Sequence, residues 1–244
     1  MAFRNLAIDI ETKPAKVYTF SLFKPVIGID QIIEPSDLMC FSWQWEGARS
    51  VGYMSEWDDG QDAMAQTLHD IMNEADAITT YNGKRFDQPW IEGILLQRGF
   101  TPPSPVHHID LYQEIRKHTR LLSNKLDYAA LTLLDQRKVS HSGFRLWRDC
   151  LEGDEKARRL MKKYSIQDTR LLIPLLNRMR PWIRTLPNMA LQQGKVDACP
   201  NCASTHIQSR GTASTQTRMY RRYQCQDCGR WFRGTHAIAT VSVQ

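Results

Sequence analysis

The chain has 244 residues, of which 42% are apolar and 24% charged, and it carries a net charge of +6. That length holds one sizeable domain and something small, and the composition is ordinary for a soluble globular protein. No apolar stretch reaches the length of a membrane span and the N-terminus lacks a signal-peptide pattern, which excludes a membrane role and predicts a cytoplasmic location.

FRNLAIDIET, from Phe3, reads as a strand ending at an acidic pair, Asp9 and Glu11. Residues 13–37 follow with prolines at 14, 25 and 35 and the aromatics Tyr18, Phe20 and Phe23, but with no periodic pattern. An irregular connection that long suggests a functional loop. LMCFSWQWEG and RSVGYMS look like two strands joined by a short turn around Glu46–Ala48. Met64, Leu68, Ile71, Met72 and Ala75 have helical spacing. AITTYNG reads as another strand, and DQPWIEGILLQRG as a helix with Pro89 in its first turn and Gly99 near its end. HHIDL suggests a short strand, with a helix from there to about His118; KLDYAALTLLDQ has a helical apolar face. In RRLMKKYSIQDTRLLIPLLNRM, Leu160, Tyr164, Asp168, Leu171, Leu172 and Leu175 share one helix face, and Pro174 predicts a kink or a break. This order suggests an α/β layer with a mixed sheet. The polar stretch TLPNMALQQGKVDA reads as a linker.

Several carboxylates stand where carboxylates are costly. Asp9 and Glu11 are two apart on a strand, so both point to one face, and held together they repel. A divalent cation is the natural remedy, although a lone D-x-E is expected by chance. Asp87 lies at a helix N-terminus, where a simple cap is the plainer explanation, and Asn82-Gly83 reads as a turn. Tyr164 and Asp168 are one helical turn apart, and an aspartate on a leucine-rich face needs a charged partner or a proton. Converging carboxylates are a common way to hold Mg²⁺ or Mn²⁺ beside a phosphate.

In this order the DIET, NGKRFD and YSIQD segments resemble the three motifs of the DEDD family of 3′→5′ exonucleases, over roughly residues 1–185. A tyrosine four before the last aspartate is similar to the tyrosine subclass. The resemblance implies a ribonuclease H-like fold in which Asp9, Glu11 and Asp168 hold one Mg²⁺ or Mn²⁺. It also implies that Asp9 bridges to a second ion, that Asp87 binds this ion through water, and that Tyr164 orients or deprotonates the attacking water. Asn82 and Phe86 would sit near the terminal nucleotide, and the product would be a nucleoside 5′-monophosphate. The K-x-D-Y-A-A-L run from Lys125 and the 13–37 loop look most like the exonuclease domains of family B polymerases. No polymerase domain fits in this length. The resemblance therefore implies an enzyme that stands alone, as in phages, or that proofreads for a separate polymerase or replication protein. DNA, single-stranded or at a 3′ end, is the implied substrate; RNA or short oligonucleotides, and a non-catalytic binding role, are the alternatives.

The tail has its own chemistry. Residues 195–244 hold seven Lys/Arg against two acids, whereas residues 1–194 are near neutral, which hints at a polyanionic partner. Cys40 and Cys150 stand alone and read as packed thiols. Cys199-x-x-Cys202 and Cys225-x-x-Cys228 are two knuckles that together offer four thiolates to one structural Zn²⁺. RMYRRYQCQDCGRWFRG resembles the β-hairpin zinc ribbons of transposases and transcription factors. Arg221, Arg222, Arg230 and Trp231 are candidates for phosphate contact and base stacking, with Tyr223 and Phe232 as the ribbon's small core and protein docking as the rival role. The predicted organisation is an exonuclease domain over 1–185, a linker over 186–197, a zinc ribbon over 198–236 and a tail over 237–244.

Overall fold

The computed structural model describes residues 3–23 and 25–242. In chain order the first elements are β1 (Asn5–Lys13), β2 (Lys16–Val17), a 3-10 turn (Ile29–Gln31), β3 (Ile32–Glu34), β4 (Asp37–Trp45) and β5 (Gly52–Ser55). Then come α1 (Gln61–Glu74), β6 (Ala77–Thr80), α2 (Asp87–Gln97), β7 (His107–Asp110), α3 (Leu111–His118), α4 (Leu126–Leu134), α5 (Phe144–Leu151) and α6 (Glu155–Met179). The remainder holds α7 (Met189–Gln192), β8 (Ile207–Ser214), β9 (Arg218–Cys225) and β10 (Trp231–Thr240). Two compact units result, Arg4–Leu175 and a second made chiefly of the residues from Leu176 onward. Among the described residues no helix is long and apolar enough to cross a membrane.

In the first unit five strands form one mixed sheet in the order β5-β4-β1-β6-β7. β1 is central, antiparallel to β4 and parallel to β6. Its period-2 alternation decides what each face carries. Leu6, Ile8 and Ile10 point into a core with Met64, Leu68, Ile91 and Leu95 of α1 and α2. Asp9 and Glu11 point to the other face, where Met39 and Cys40 pack with Leu146 and Cys150 of α5 and with Met161 and Tyr164 of α6. The α/β layering expected from the sequence is therefore present, with helices on both faces of a mixed sheet.

A buried hydroxyl cluster fixes α6 against the sheet. Ser42 sits opposite Asp9 on β4. Its hydroxyl donates to the Ser165 carbonyl oxygen at 2.8 Å, lies 2.6 Å from the Thr169 hydroxyl and accepts from the Ser165 hydroxyl at 2.9 Å. All three side chains are fully buried, so each needs its partners. Asp168 lies between Ser165 and Thr169 in sequence, so the cluster sets its height above β1.

Several sequence expectations are corrected. Residues 13–37 are not a plain loop: β2 and β3 pair, and Tyr18 N–H donates to the Gln31 carbonyl. The arm leaves Phe20, Leu22, Phe23 and Val26 exposed. The sequence pattern did not anticipate α5, whose eight residues mix charges with a narrow apolar stripe. α6 runs through Pro174 without a break. A short helix stands inside the stretch read as linker, and β10 continues to Thr240.

In the second unit β8, β9 and β10 form a three-stranded antiparallel sheet in the order β10-β9-β8. The Cys199 and Cys225 knuckles turn tightly: Ala203 N–H donates to the Cys199 carbonyl, and Gly229 N–H to the Cys225 carbonyl. Ala203 and Gly229 both take positive φ to do so.

Replacing Ser42 with alanine takes the acceptor from the buried Ser165 hydroxyl, while the Thr169 hydroxyl keeps only its longer bond to the Ser42 carbonyl. We expect Ser42→Ala to lower the unfolding free energy by about 1–3 kcal/mol, measured by urea denaturation.

Candidate functional site

The polar face of β1 opens into a cavity of about 680 Å³ lined by Asp9, Glu11, Asn82, Phe86, Asp87, Lys138, Tyr164 and Asp168, among others. Seven of these eight were singled out in the sequence. Asp9, Glu11 and Asp168 each present a carboxylate oxygen, and these atoms lie within 4.8 Å of one another. Asp9 Oδ2 and Asp168 Oδ1 are buried and have no hydrogen-bond partner among the described residues. Buried oxygens without donors suit a cation rather than another hydrogen-bonding side chain. The residues present therefore fit a divalent metal ion.

Electrostatics agree with that reading. Burial, and then the charges of Asp168, Glu11 and Asp87, hold Asp9 well above the usual carboxylate range. Burial first, then Asp168, push Glu11 up to about 8. Asp168 is also raised by burial, against the pull of Lys138.

Asp87 opens α2 with its carboxylate nearly buried, and it accepts from the Ile10 N–H at 3.2 Å. Burial pushes it up to about 7. It lines the same cavity but lies outside the three-carboxylate group. The turn before it is set by Asp110, a residue sequence reading passed over. The Asp110 carboxylate accepts from the Asn82 N–H at 2.9 Å and the Lys84 N–H at 3.2 Å, and it caps α3. Asn82 takes φ 67°, and a Cβ at Gly83 would lie 2.2 Å from Thr80 Oγ1, so asparagine-glycine is a structural requirement here. Phe86 remains 40% exposed at the cavity's edge.

Tyr164 is held by an aromatic cage, with His141 at 4.7 Å and Trp147 at 6.0 Å between ring centroids, both edge-on. Burial, then Asp168, raise the phenol's pKa, so it stays protonated at neutral pH. Lys138 Nζ donates to Tyr164 Oη at 2.9 Å and forms an ion pair with Asp168 Oδ2. Lys138 is the site residue that sequence reasoning missed. It sits in a patternless polar stretch, and no spacing signal links it to Tyr164, 26 residues later, or to Asp168 beyond it.

In the second unit the four cysteines also converge. Cys199 and Cys228 sulfurs are 3.7 Å apart, and Cys202 and Cys225 sulfurs 3.6 Å, with all four within 4.8 Å. Tetrahedral thiolates about 2.3 Å from a zinc ion stand about 3.8 Å apart, whereas a disulfide needs about 2 Å. The set therefore fits a metal and is arranged as in a zinc ribbon.

The expected nucleic-acid contacts of the ribbon are not one surface. β9 alternation puts Arg221 and Tyr223 on one face and Arg222 on the other. Arg222 lies over Trp231, 5.1 Å from the ring centroid, and its Nε donates to the Arg210 carbonyl. Arg230 departs furthest from expectation: its Nη1 donates to the carbonyls of Pro181 and Ile183 at 2.9 and 2.6 Å. Those internal bonds compete with the phosphate contact its basic setting suggested.

The RNase_H_2 family model, described as the RNase_H superfamily, matches residues 38–180, more than half of the chain. Among solved structures, the chain is similar to the family B DNA polymerase from the hyperthermophilic archaeon Pyrobaculum calidifontis. The TM-score is 0.57 and the identity 16%, over 75% of this chain and 25% of that polymerase. That likeness is one of fold, and the chain spans about a quarter of the polymerase's length. No curated protein sequence matches it. With a mixed five-stranded sheet, helices on both faces and a family match over most of that unit, the chain belongs to the ribonuclease H superfamily.

Proposed function

We propose that the chain is a metal-dependent 3′→5′ exonuclease that removes nucleoside 5′-monophosphates from the 3′ end of DNA, alone or in the service of a separate polymerase. The observation that carries this reading is the trio Asp9, Glu11 and Asp168 in an open cavity, with two buried carboxylate oxygens that have no hydrogen-bond partner among the described residues. Two Mg²⁺ or Mn²⁺ ions, when bound, would offset the phosphate's charge and stabilise the attacking and leaving oxygens. Asp9, Glu11 and Asp168 would be the direct ligands, with Asp87 contributing from the cavity wall.

The chain's own side chains supply the rest. Tyr164 presents its hydroxyl to the attacking water, to orient it or to take its proton. Lys138 holds that hydroxyl by donating to Oη and adds a positive charge beside the scissile phosphate. Asn82 and Phe86 lie on the cavity wall, positioned to take the terminal sugar and base. The four cysteines would hold a structural Zn²⁺, which would stabilise the small second unit.

Cleavage is tested with 5′-labelled single-stranded DNA and RNA and Mn²⁺. A ladder descending from the 3′ end of DNA is expected. Asp9→Asn and Asp168→Asn should each lose about 10³-fold or more in rate with unchanged circular dichroism. Near-normal turnover in either variant refutes the reading; degradation of RNA alone corrects the substrate.

Lys138→Met should lower kcat by about 10- to 100-fold, because the Tyr164 hydroxyl loses its fixed donor. Single-turnover kinetics with the metal saturating would show it.

Protons and metal compete for the same oxygens. Glu11 and Asp87, lifted to about 8 and about 7, bind protons more tightly folded than unfolded. Without added divalent ion, their stabilising contribution is present below the unfolded carboxylate range and is lost as pH rises toward 8. The melting temperature should therefore fall over that interval and recover on adding Mn²⁺, with the largest recovery at the highest pH. Scanning calorimetry from pH 5 to 8.5 is the check.

A further inference from the structure

The second unit holds a cavity that the catalytic reading does not use. It lies on one face of the three-stranded sheet, encloses about 400 Å³, and is bordered by α7 and the segment after it. Tyr223 and Phe232 are cross-strand partners and line it with rings 5.6 Å apart, stacked at 22°. Both are only partly buried, so the pair serves as a wall as well as a core. Gly234 leaves the Tyr223 ring uncovered on this side: a Cβ there would rest against it in ordinary van der Waals contact, at 3.5 Å.

Charge around the cavity matches the aromatics. Arg221 shares the Tyr223 side of β9, is exposed, and carries no ion pair among the described residues. Lys195 also borders the cavity, opposed by a single acid, Asp197. The other arginines nearby are engaged: Arg233 also borders the cavity but lies over Tyr220, and Arg222, on the opposite face, lies over Trp231, 4.0 and 5.1 Å from the ring centroids. A free guanidinium beside an accessible aromatic pair, in a space the size of one nucleotide, is the combination that holds single strands.

We propose that this cavity is a single-stranded nucleic-acid subsite, in which one base stacks against Tyr223 and Phe232 and the neighbouring phosphate pairs with Arg221. Strand capture here is independent of cleavage, so it is measured in the full chain carrying Asp9→Asn with no added divalent ion. The probe is an oligothymidylate of about 20 nucleotides, long enough for several subsites, followed by fluorescence anisotropy.

Arg221→Ala should weaken binding several-fold and make the slope of log Kd against log salt shallower by about 0.7. Gly234→Val adds a strand-compatible side chain against Tyr223 and should weaken binding roughly tenfold. Photocrosslinking of an iodouracil-substituted strand to the full chain should label Tyr223 or Phe232. In the active chain, both variants should cleave a dinucleotide at the parent rate, which separates this subsite from the carboxylate cavity. Unchanged affinity and salt slope in Arg221→Ala, or crosslinks confined to residues 4–175, overturn the proposal and leave the cavity to a protein partner. Because Arg221 is exposed, its variant keeps the test decisive even if Gly234→Val fails to fold.

Discussion

Repulsion among Asp9, Glu11 and Asp168 is the constraint around which the unit Arg4–Leu175 is arranged. Two unit charges about 4 Å apart repel by about 4 kcal/mol at an effective dielectric of about 20. Lys138, ion-paired with Asp168, and the proton affinity of Asp9 and Glu11, raised by burial, relieve part of that repulsion when no cation is bound. The groups stay close because each is carried by a rigid element buried for other reasons. β1 is fixed on both edges by β4 and β6, and Leu6, Ile8 and Ile10 anchor its other face. α6 is locked by Ser42, Ser165 and Thr169. Stability of the scaffold is thereby spent on a site that is unfavourable without a cation, which is a common arrangement where chemistry is done.

Much of this was readable in the sequence, because the relevant signals are local. Period-2 spacing placed Asp9 and Glu11 on one face of a strand, and helical spacing placed Tyr164 and Asp168 together on α6. The knuckle spacing placed the four cysteines for the same reason. What the sequence hid is what tertiary packing decides. Lys138 reaches Tyr164 and Asp168 from a segment without regular pattern. Asp110 looked like the end of a strand, yet its carboxylate fixes the turn that carries Asn82. Arg230 looked like a phosphate contact because composition cannot say whether a guanidinium is already taken by carbonyls. The arm between β1 and β4 was illegible because its strands are two and three residues long.

The two units meet their charges differently. In the first, five carboxylates line the cavity against three basic residues, Arg85, Lys125 and Lys138, so the cavity favours cations. In the second, thiolates converge at one end of the sheet while arginines spread over both of its faces. Its apolar content is thin, with Cys199, Ala203, Tyr220 and Cys225 among its few buried residues. A fold with so little core stands to gain most of its stability from a metal bound by those four cysteines.

The hydroxyl trio at Ser42, Ser165 and Thr169 has an evolutionary corollary. A change at one position removes a hydrogen-bond partner from the others, whereas replacing all three together by well-fitting apolar side chains can be nearly neutral. Positions 42, 165 and 169 should therefore covary among descendants of this sequence. Lineages would keep the polar set intact or exchange it as a block, and intermediates would be rare.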